Sequence, residues 1–555
     1  MTLSPLGDSA VVISLGDAID ASTAAQVRAL AAELGRMTRD GVVDIVPAFA
    51  DVALFFDSAH VPDFEKLRIE LAGAVERAEA ATSGSADRAV EVPVCYGGEY
   101  GSDLGEVAVR AGLTPDEVAR RHASGDYLVH AIGFMPGFPY LGGLAPELAT
   151  PRRATPRARV PAGSVGIGGG QTGVYPLESP GGWNLIGRTP VRLFDPGRAE
   201  PAWLHLGDRV KFHAISPEAF RLAAQAPTAA PRGNGLEGRG STGGASGRRI
   251  EIFKPGMGCA VQDLGRVGWR ASGVSLAGAA DGFALRVANL LVGNPEGAAA
   301  LEFALAGPEL RFSHDTVVAV GGAEFEGLPR WRPVQVAAGT TLKLGAARAG
   351  CRGCLAVAGG IDVAPVLGSR STDLRAGFGG LGGRTLAAGD WLSVGSEGLR
   401  LQGGSWRIDE RMLPEYSREA VVRVVAGAQA GEFAPAWLGA KFTVSRLSDR
   451  MGVRLEGPAL ERCGGRELLS TPVVPGTIQV PPDGQPIVLL ADAQTIGGYP
   501  QVAHVASVDL PLIAQLRPGD TVRFGEVPLA EACALRLARE RSLALLAQGL
   551  REKRV

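Results

Sequence analysis

The segment ADAQTIGGYP (491–500) places the polar side chains of Asp492, Gln494, Thr495 and Tyr499 in one glycine-containing loop. Gln and Tyr side chains can recognise an amide or ureido group through hydrogen bonds. An Asp beside them can accept a proton when it is partly desolvated. The loop therefore predicts a site for a small amide, with Asp492 and Tyr499 as catalytic candidates and Gln494 and Thr495 as substrate-binding candidates.

Two Asp–Arg motifs beside glycine offer charges to a ligand. The segment VQDLGRVGWR (261–270) carries Asp263 and Arg266 on a turn, and SDRMGVRLEG (448–457) carries Arg450. A guanidinium forks onto carboxylates, so both arginines are candidates for binding a substrate carboxylate, and Asp263 is a further candidate for moving protons. A structural ion pair between Asp263 and Arg266 explains the same pattern, and the sequence does not separate the two interpretations.

The uncharged segment HAIGFMPGFPYLGGL (130–144) combines aromatic rings with glycines and two prolines. Proline disfavours both a helix and a central strand, which leaves a packed irregular loop or the wall of a pocket. We predict that His130, Phe134 and Phe138 border the largest cavity of the first half, with His130 at its rim as a substrate-binding candidate. The alternative is that these rings are buried in a barrel core.

The next glycine-rich stretch, GIGGGQTG (166–173) followed by SPGGWNLIGRTP (179–190), contains three further substrate-binding candidates. It matches neither a P-loop nor a dinucleotide fingerprint, because Gly-Lys is missing and no helix follows. Its backbone N–H groups could hold an anion near Gln171, or the turn could be a barrel corner. Trp183 is either a stacking wall or a core residue, and Arg188 either a ligand contact or a surface ion pair.

Composition excludes several classes of function. The net charge is −2, which argues against a general nucleic-acid or membrane surface. The sequence shows no signal peptide and no apolar run of membrane-spanning length, so we expect a cytoplasmic protein. The six cysteines are scattered, with one CxxC pair at Cys351 and Cys354, and no paired-His motif predicts a metal site. None of the six lysines is flanked by Met, so we expect no covalently attached biotin.

These candidates must be positioned by a largely β structure. Most segments are short Val/Ile/Leu-rich runs between Gly, Pro and Asp turns. Helices are predicted near residues 21–35, 63–80, 114–123, 281–291 and 529–547. The stretch at 224–247 is rich in Ala, Pro, Gly and Ser, which is typical of a linker.

The sequence also contains an internal repeat. Three phrases recur in the same order: VPAGSVGI (160–167) and VVPGTIQV (473–480), QTGVYP (171–176) and QTIGGYP (494–500), LGDRVKF (206–212) and PGDTVRF (518–524). A weaker form of the last phrase, AGDWLSV, lies at 388–394. Gly-Asp before an alternating apolar pattern indicates a turn entering a strand, so the repeat predicts related β units. Gln479 in the second phrase is another substrate-binding candidate.

Residues from about 90 to 530 resemble two companion families. The first half is similar to the B subunit of 5-oxoprolinase, through the segments at 130–144, 151–190 and 193–212. The second half is similar to the C subunit of 5-oxoprolinase, also classed as a biotin-dependent carboxyltransferase domain, through the segments at 254–274, 356–380 and 448–458. In these families the two halves are usually separate chains.

The resemblance implies a mainly β, α+β fold with three cyclophilin-like β-barrel domains after a small α/β domain. The expected division is 1–88 for the α/β domain, 89–222 for the first barrel, 223–248 for the linker, 249–412 and 413–530 for the second and third barrels, and 531–555 for a C-terminal helix.

The resemblance also implies one of three functions. The first is the B–C component of an ATP-dependent 5-oxoprolinase, with ATP on or shared with a separate ATPase subunit and a small lactam or amide as substrate. The second is a carboxyltransferase that moves a carboxyl group from carboxybiotin to urea or a related amide. The third is a regulator resembling a sporulation-kinase inhibitor and its antagonist. A homo-oligomer is compatible with all three.

Overall fold

A computed structural model describes residues 1–37, 41–57, 59–60, 64–81, 88–225, 247–396, 408–464 and 468–552. Most of the predicted linker at 223–248 lies outside these residues. The described chain forms a small N-terminal unit, two closed barrels and a pair of sheets between the barrels. The mainly β, α+β class predicted from the sequence is confirmed.

The N-terminal unit is a four-stranded antiparallel sheet, in the order β1-β2-β4-β3, packed on two helices. Its elements are β1 (Thr2–Leu6), β2 (Ala10–Ser14), α1 (Ala21–Arg36), β3 (Val42–Ala48), β4 (Asp51–Phe56) and α2 (Phe64–Ala81). Asp20 caps α1, because its carboxylate accepts the backbone N–H groups of Ser22 and Thr23 at 2.9 Å. Side chains alternate along β2, so that Val11 faces the helices and Ala10 faces the first barrel.

The first barrel closes through seven strands in the order β10-β7-β6-β13-β5-β12-β9. Its elements are β5 (Ala89–Tyr96), α3 (Leu104–Ala111), α4 (Pro115–Ala123), β6 (Tyr127–Ile132), β7 (Pro139–Gly142), β8 (Arg157–Val160), β9 (Ser164–Gly168), β10 (Gln171–Val174), β11 (Ser179–Gly181), β12 (Asn184–Arg188), β13 (Arg209–Ala214) and α5 (Pro217–Gln225). Strands β8 and β11 form a separate two-stranded ribbon.

The middle unit differs from the predicted closed barrel. Its elements are β14 (Arg249–Lys254), β15 (Ala260–Gln262), α6 (Gly282–Leu291), β16 (Ala300–Ala304), β17 (Glu309–Phe312), β18 (Thr316–Phe325), β19 (Val334–Val336), β20 (Thr341–Lys343), β21 (Ala347–Val357), β22 (Ile361–Asp362) and β23 (Trp391–Val394). These strands form two five-stranded sheets, β20-β17-β14-β23-β22 and β15-β16-β21-β18-β19, around one apolar core. Asp281 caps α6 by accepting the N–H of Ala284 at 2.9 Å.

The second barrel also closes through seven strands. Its elements, with two helices, are β24 (Glu419–Ala426), β25 (Phe442–Val444), β26 (Gly452–Glu456), β27 (Thr471–Pro472), β28 (Thr477–Gln479), β29 (Ile487–Leu489), β30 (Ile496–Gly497), β31 (Gln501–Val505), α7 (Leu510–Ala514), β32 (Thr521–Glu526) and α8 (Leu529–Arg551). Helix α8 extends a turn beyond its predicted end at 547.

The two barrels share one topology. Read from β29, the second barrel runs β29-β26-β25-β32-β24-β31-β28, which matches the first barrel strand for strand, and each has one parallel pair, β5–β13 and β24–β32. Two repeated phrases fall on equivalent strands, β9 with β28 and β13 with β32. The third does not, because QTGVYP contains β10, whereas QTIGGYP leads into β31, the counterpart of β12.

Polar bridges join the N-terminal half to the C-terminal half. Asp44 pairs with Arg270 at 2.9 Å, and Asp8 accepts the N–H and hydroxyl of Ser507 at 3.0 and 2.8 Å. Arg536 on α8 donates to the backbone carbonyl of Asp8. An apolar cluster also has members from the N-terminal sheet and both barrels.

Candidate functional site

A narrow cleft opens where the first barrel, the middle unit and the second barrel meet. It is lined by residues 134–136, 177–179, 273, 275, 373, 375, 376 and 492–494. We call it the three-unit cleft. The cleft has a volume of about 350 Å³ when the space open to solvent is counted, and about 20 Å³ of it can hold water-sized groups. That space has room for one water-sized group, so a small ligand would occupy the open mouth.

Close backbone contact seals the floor of the cleft. Gly273 of the middle unit lies against the 133–138 loop, where a Cβ would stand 2.5 Å from the carbonyl oxygen of Met135. Its φ of +76° also favours glycine. The N–H of Gly137 donates to the carbonyl of Ser272 at 2.8 Å. The two halves of the chain therefore meet directly beneath the cleft.

Asp373 supplies a buried, oriented carboxylate to the cleft. One of its oxygens, Oδ2, accepts the hydroxyl of Ser275 at 2.8 Å. The other, Oδ1, accepts the backbone N–H groups of Arg375 and Ala376 at 3.1 and 2.9 Å. These bonds fix the direction of the carboxylate, which suits a group that must accept a proton at a defined position.

Arg375 supplies a cation without an acceptor among the described residues. Its guanidinium lies 5.0 Å from the ring centroid of Phe134, which belongs to the other half of the chain. Burial lowers the pKa of Arg375, and the charge of Asp373 opposes this shift. A half-buried guanidinium that makes no hydrogen bond within the described chain is suited to a ligand carboxylate.

Gln494 supplies a side-chain amide on the opposite wall. Its Nε2 approaches Oε1 of Gln479 at 3.5 Å, a long contact. Behind it, Nε2 of Gln479 and Oγ1 of Thr495 are buried without a hydrogen-bond partner in the described structure. Buried polar atoms are nearly always paired. A ligand or water that hydrogen-bonded these two atoms would therefore be stabilised beside Gln494.

Asp492 enters the cleft already paired with Arg450. Nε and Nη2 of Arg450 each lie 2.8 Å from a carboxylate oxygen of Asp492. The same guanidinium also donates to Glu302 and, at 2.5 Å, to the carbonyl of Gly278. Burial lowers the pKa of Arg450, but the charges of Asp492 and Glu302 outweigh it, and the pKa lies above its ordinary value. Arg450 thus joins the second barrel to the middle unit.

Asp263 and Arg266 lie behind the cleft. The carboxylate of Asp263 accepts the hydroxyls of Ser369 and Ser371 and the N–H of Arg370, each at 2.6 Å. Arg266 is fully buried and donates to backbone carbonyls of Val366, at 3.2 Å, and Ser371. Both side chains therefore fix the loop that presents Asp373 and Arg375, rather than lining the cleft themselves.

Of the three aromatic residues predicted to border a cavity, Phe134 lines the cleft. His130 and Phe138 are buried, 5% and 1% exposed, in the cluster between the N-terminal sheet and the barrels. The imidazole of His130 stacks on Phe49 at 6.5 Å, and Phe138 packs edge-on against Trp183 at 5.5 Å. The side chains of His130, Phe138 and Trp183 lie between the units, outside the first barrel's own core, and they do not line the three-unit cleft.

The remaining candidates lie away from the three-unit cleft. Tyr499 is 46% exposed and lines a different cleft between the N-terminal sheet and the second barrel. Arg188 donates to the carbonyl of Ala162 at 2.7 Å. Gln171 lies on β10, with its Nε2 buried and unpartnered in the described structure.

Sequence reasoning missed Ser275, Asp373 and Arg375. The available signal was the run of polar residues before glycine in STDLRAGFGG (371–380). This segment contributed to the family resemblance, but no candidate site residue was taken from it. Within the described chain, no group of three or more His, Cys, Asp or Glu is arranged for a metal, and no helix is long and apolar enough to cross a membrane. All six cysteines are free thiols.

The chain belongs to the carboxyltransferase-domain family. The family described as carboxyltransferase domain, subdomains C and D, matches residues 1–204, and that described as subdomains A and B matches residues 272–526. The two halves that form the three-unit cleft are thus both carboxyltransferase-type halves, in the order C–D and then A–B.

Individual relatives match one half each. The C subunit of the 5-oxoprolinase of Escherichia coli (strain K12) is 41% identical over 315 residues, 54% of this chain and 98% of the relative. The B subunit of the 5-oxoprolinase of Bacillus subtilis (strain 168) is 43% identical over 225 residues, 39% of this chain and 93% of the relative.

Two solved structures extend the comparison. The crystal structure of TTHA0988 is 38% identical, with a TM-score of 0.79, and covers 93% of this chain and 99% of its own. The urea amidolyase of K. lactis is 30% identical, with a TM-score of 0.51, and the match covers 54% of this chain and 20% of that larger protein.

Proposed function

We propose that this chain is the combined B–C component of an ATP-dependent 5-oxoprolinase, which opens a five-membered lactam to glutamate together with a separate ATPase subunit. The observation that carries the proposal is the composition of the three-unit cleft. Phe134 comes from the half similar to the B subunit, and Asp373, Arg375 and Gln494 come from the half similar to the C subunit. Neither half alone supplies the whole set.

The groups in the cleft complement those of 5-oxoproline. Its carboxylate would pair with the guanidinium of Arg375, and its ring would lie against Phe134 in the mouth. The side-chain amide of Gln494 can hydrogen-bond the lactam amide as donor or acceptor.

The residues of the cleft would divide into those that contact the reactants and those that hold them in position. Asp373, held by Ser275, would take a proton from the attacking water. ATP, which we assign to the partner subunit, would phosphorylate the lactam oxygen and so make the ring carbon electrophilic enough for water to add. The ring C–N bond then breaks, the nitrogen takes up a proton, and a second water hydrolyses the resulting acyl phosphate to glutamate and phosphate. The enclosed floor of the cleft would limit access of bulk water to that activated species. Asp492 and Arg450 would act as positioning residues, since their charges already satisfy each other.

A reconstitution tests the proposal. The full chain is mixed with a candidate ATPase subunit, ATP and 5-oxoproline, and glutamate is measured with the ATPase subunit alone as the reference. We expect ATP-dependent glutamate formation only with both proteins, and a higher KM for 5-oxoproline in Arg375→Gln. Glutamate formation equal to that of the ATPase subunit alone would reject the proposal.

The carboxyltransferase function is a second candidate, and the matches to the carboxyltransferase-domain family and to urea amidolyase favour it. It would require carboxybiotin from another chain. In a second assay the full chain is therefore mixed with a biotin carboxylase, a biotinylated carrier, bicarbonate, ATP and urea, and carboxylation of urea is measured. Inactivity in both assays would favour the regulatory alternative. A cytoplasmic location and a homo-oligomeric state stay predictions.

A further inference from the structure

A second and larger cavity lies behind the three-unit cleft. It is bounded by the N-terminal sheet, the middle unit, the second barrel and α8, and we call it the chamber. Its volume is about 530 Å³, within the range of roughly 300–1,000 Å³ for small-ligand sites. Its apolar lining includes Leu276, Phe283, Leu490, Leu510 and Leu543.

The chamber and the cleft share a wall that is two chain segments thick. Leu276 and Ala491 face the chamber, whereas their neighbours Ser275 and Asp492 face the cleft. The N–H of Ala277 donates to the carbonyl of Ala491 at 2.9 Å and joins the two segments. The two cavities are therefore adjacent but lined by different side chains.

Nearly all charges at the chamber wall are already satisfied within the chain. Each acidic side chain accepts a hydrogen bond: Asp8 from Ser507, Asp57 from His60, and Glu296 and Glu540 from Arg286. Three arginines are also engaged: Arg270 with Asp44, Arg286 with the two glutamates, and Arg536 with the backbone carbonyls of Asp8, Phe56 and Asp57.

Arg539 is the exception among the described lining residues. Its guanidinium lies 4.5 Å from the ring centroid of Phe283 and makes no hydrogen bond or ion pair with a described residue. The charges of Asp281 and Asp509 act on Arg539 and oppose the lowering of its pKa by burial. Their carboxylates nevertheless accept hydrogen bonds from Tyr416, Gln515 and Arg423 instead. A partly buried guanidinium without a hydrogen-bond acceptor is costly to maintain, so a ligand carboxylate would supply the acceptors that the described chain does not.

We propose that the chamber binds a small monocarboxylate with an apolar body. The carboxylate would accept hydrogen bonds from the fork of Arg539, which is preorganised on the ring of Phe283. The body would lie against Leu276, Leu490 and Leu510. A dianion fits less well, since the described walls offer one uncommitted cation, and a neutral apolar molecule would leave Arg539 unpaired.

Octanoate is a suitable probe, because it has one carboxylate and an apolar chain. Calorimetric titration of the full-length chain should show saturable binding with one octanoate per chain. The neutral analogue 1-octanol, with the same chain, should bind at least tenfold more weakly. This comparison uses unmodified protein and does not depend on whether a variant folds.

Variants then locate the site. Arg539→Gln should weaken octanoate binding at least tenfold, since bonds between charged partners are stronger than neutral ones. Arg541→Gln is the matched control, because Arg541 is an exposed residue on the same helix and is not part of the chamber lining, and it should bind like the unmodified chain. Arg375→Gln should also bind normally, which separates the chamber from the three-unit cleft.

Three results would overturn the proposal. The first is no saturable binding of octanoate. The second is equal binding of octanoate and 1-octanol, which indicates adventitious apolar binding. The third is binding that survives Arg539→Gln in a folded protein or is lost in Arg375→Gln, which places octanoate elsewhere. None of these results bears on glutamate formation, so the proposed function is tested separately.

Discussion

The guanidinium of Arg375 lies 5.0 Å from the ring centroid of Phe134, and the two residues come from different halves of the chain. Phe134 has a φ of +66°, a left-handed conformation that costs a residue other than glycine about 1–3 kcal/mol and is often found at functional sites. The surrounding loop thus holds an unfavourable backbone conformation that places the ring beneath the cation.

Replacing Arg375 tests its assignment to the substrate carboxylate. Arg375→Gln should raise the KM for 5-oxoproline at least tenfold in the reconstituted assay, with a smaller effect on kcat, because uniform binding of the carboxylate is lost. Arg332→Gln is the matched control, since Arg332 is exposed on the same unit and outside the cleft lining. An unchanged KM in Arg375→Gln would remove Arg375 from the site.

Replacing Asp373 tests its proposed role as the proton acceptor. Asp373→Asn keeps the shape of the side chain and can keep the bonds to the N–H groups of Arg375 and Ala376. We expect kcat to fall by roughly 10²–10⁴-fold, the usual contribution of a general base, with little change in KM. Asp315→Asn, at an exposed position, should have no effect. If kcat is as little changed in Asp373→Asn as in Asp315→Asn, another group takes the proton.

Arg450 should matter for stability more than an exposed arginine does. Arg450→Met leaves Asp492 and Glu302 buried without their shared partner, and breaking a buried pair costs about 3–5 kcal/mol. Urea titration should show this loss. Arg411→Met removes a highly exposed pair with Asp409 and should leave the unfolding midpoint nearly unchanged. Similar midpoints for the two variants would contradict the structural role of Arg450.

The stability of the first barrel should fall below neutral pH because of His122. Burial lowers the pKa of His122 to about 3, and its ring nitrogens contact the hydroxyls of Tyr96 and Thr172 at 2.8 and 2.9 Å. An unfolded chain binds a proton below about pH 6.5, whereas the folded imidazole does not until much lower pH. The stabilising contribution of the neutral, buried imidazole to the free energy of unfolding is therefore complete above pH 6.5, and it is lost as the pH falls towards 3.

Urea titrations at pH 7 and pH 5 measure this effect. The free energy of unfolding of the unmodified chain should fall by about 2 kcal/mol more than that of His122→Gln over this interval, from the linkage between proton binding and stability. His504, whose pKa burial lowers to about 4, is present in both proteins and cancels in the comparison. Parallel pH dependence in the two proteins would mean that His122 takes up its proton in the folded state.

Local sequence signals predicted much of the fold. The helices predicted near 21–35 and 114–123 and the Gly-Asp phrases entering β13 and β32 all depend on residues close together in the chain. The match of QTGVYP with QTIGGYP was wrong as a structural equivalence, because similar turn residues serve different strands of the two barrels. The middle unit, expected as a barrel, forms two five-stranded sheets instead. Local sequence does not determine whether the edge strands of two sheets pair and close a barrel.

The sequence alone determined the β-rich units, their repeat and the loop that brings Asp492 and Gln494 to one wall. Only the tertiary structure decided that Arg450 is already paired, that His130 and Trp183 are buried between the units, and that Ser275, Asp373 and Arg375 complete the cleft. The physical reason is that pairing, burial and cavity shape depend on which distant segments pack together. Phe134 and Arg375 are 241 positions apart in the sequence, and no local pattern records that they meet.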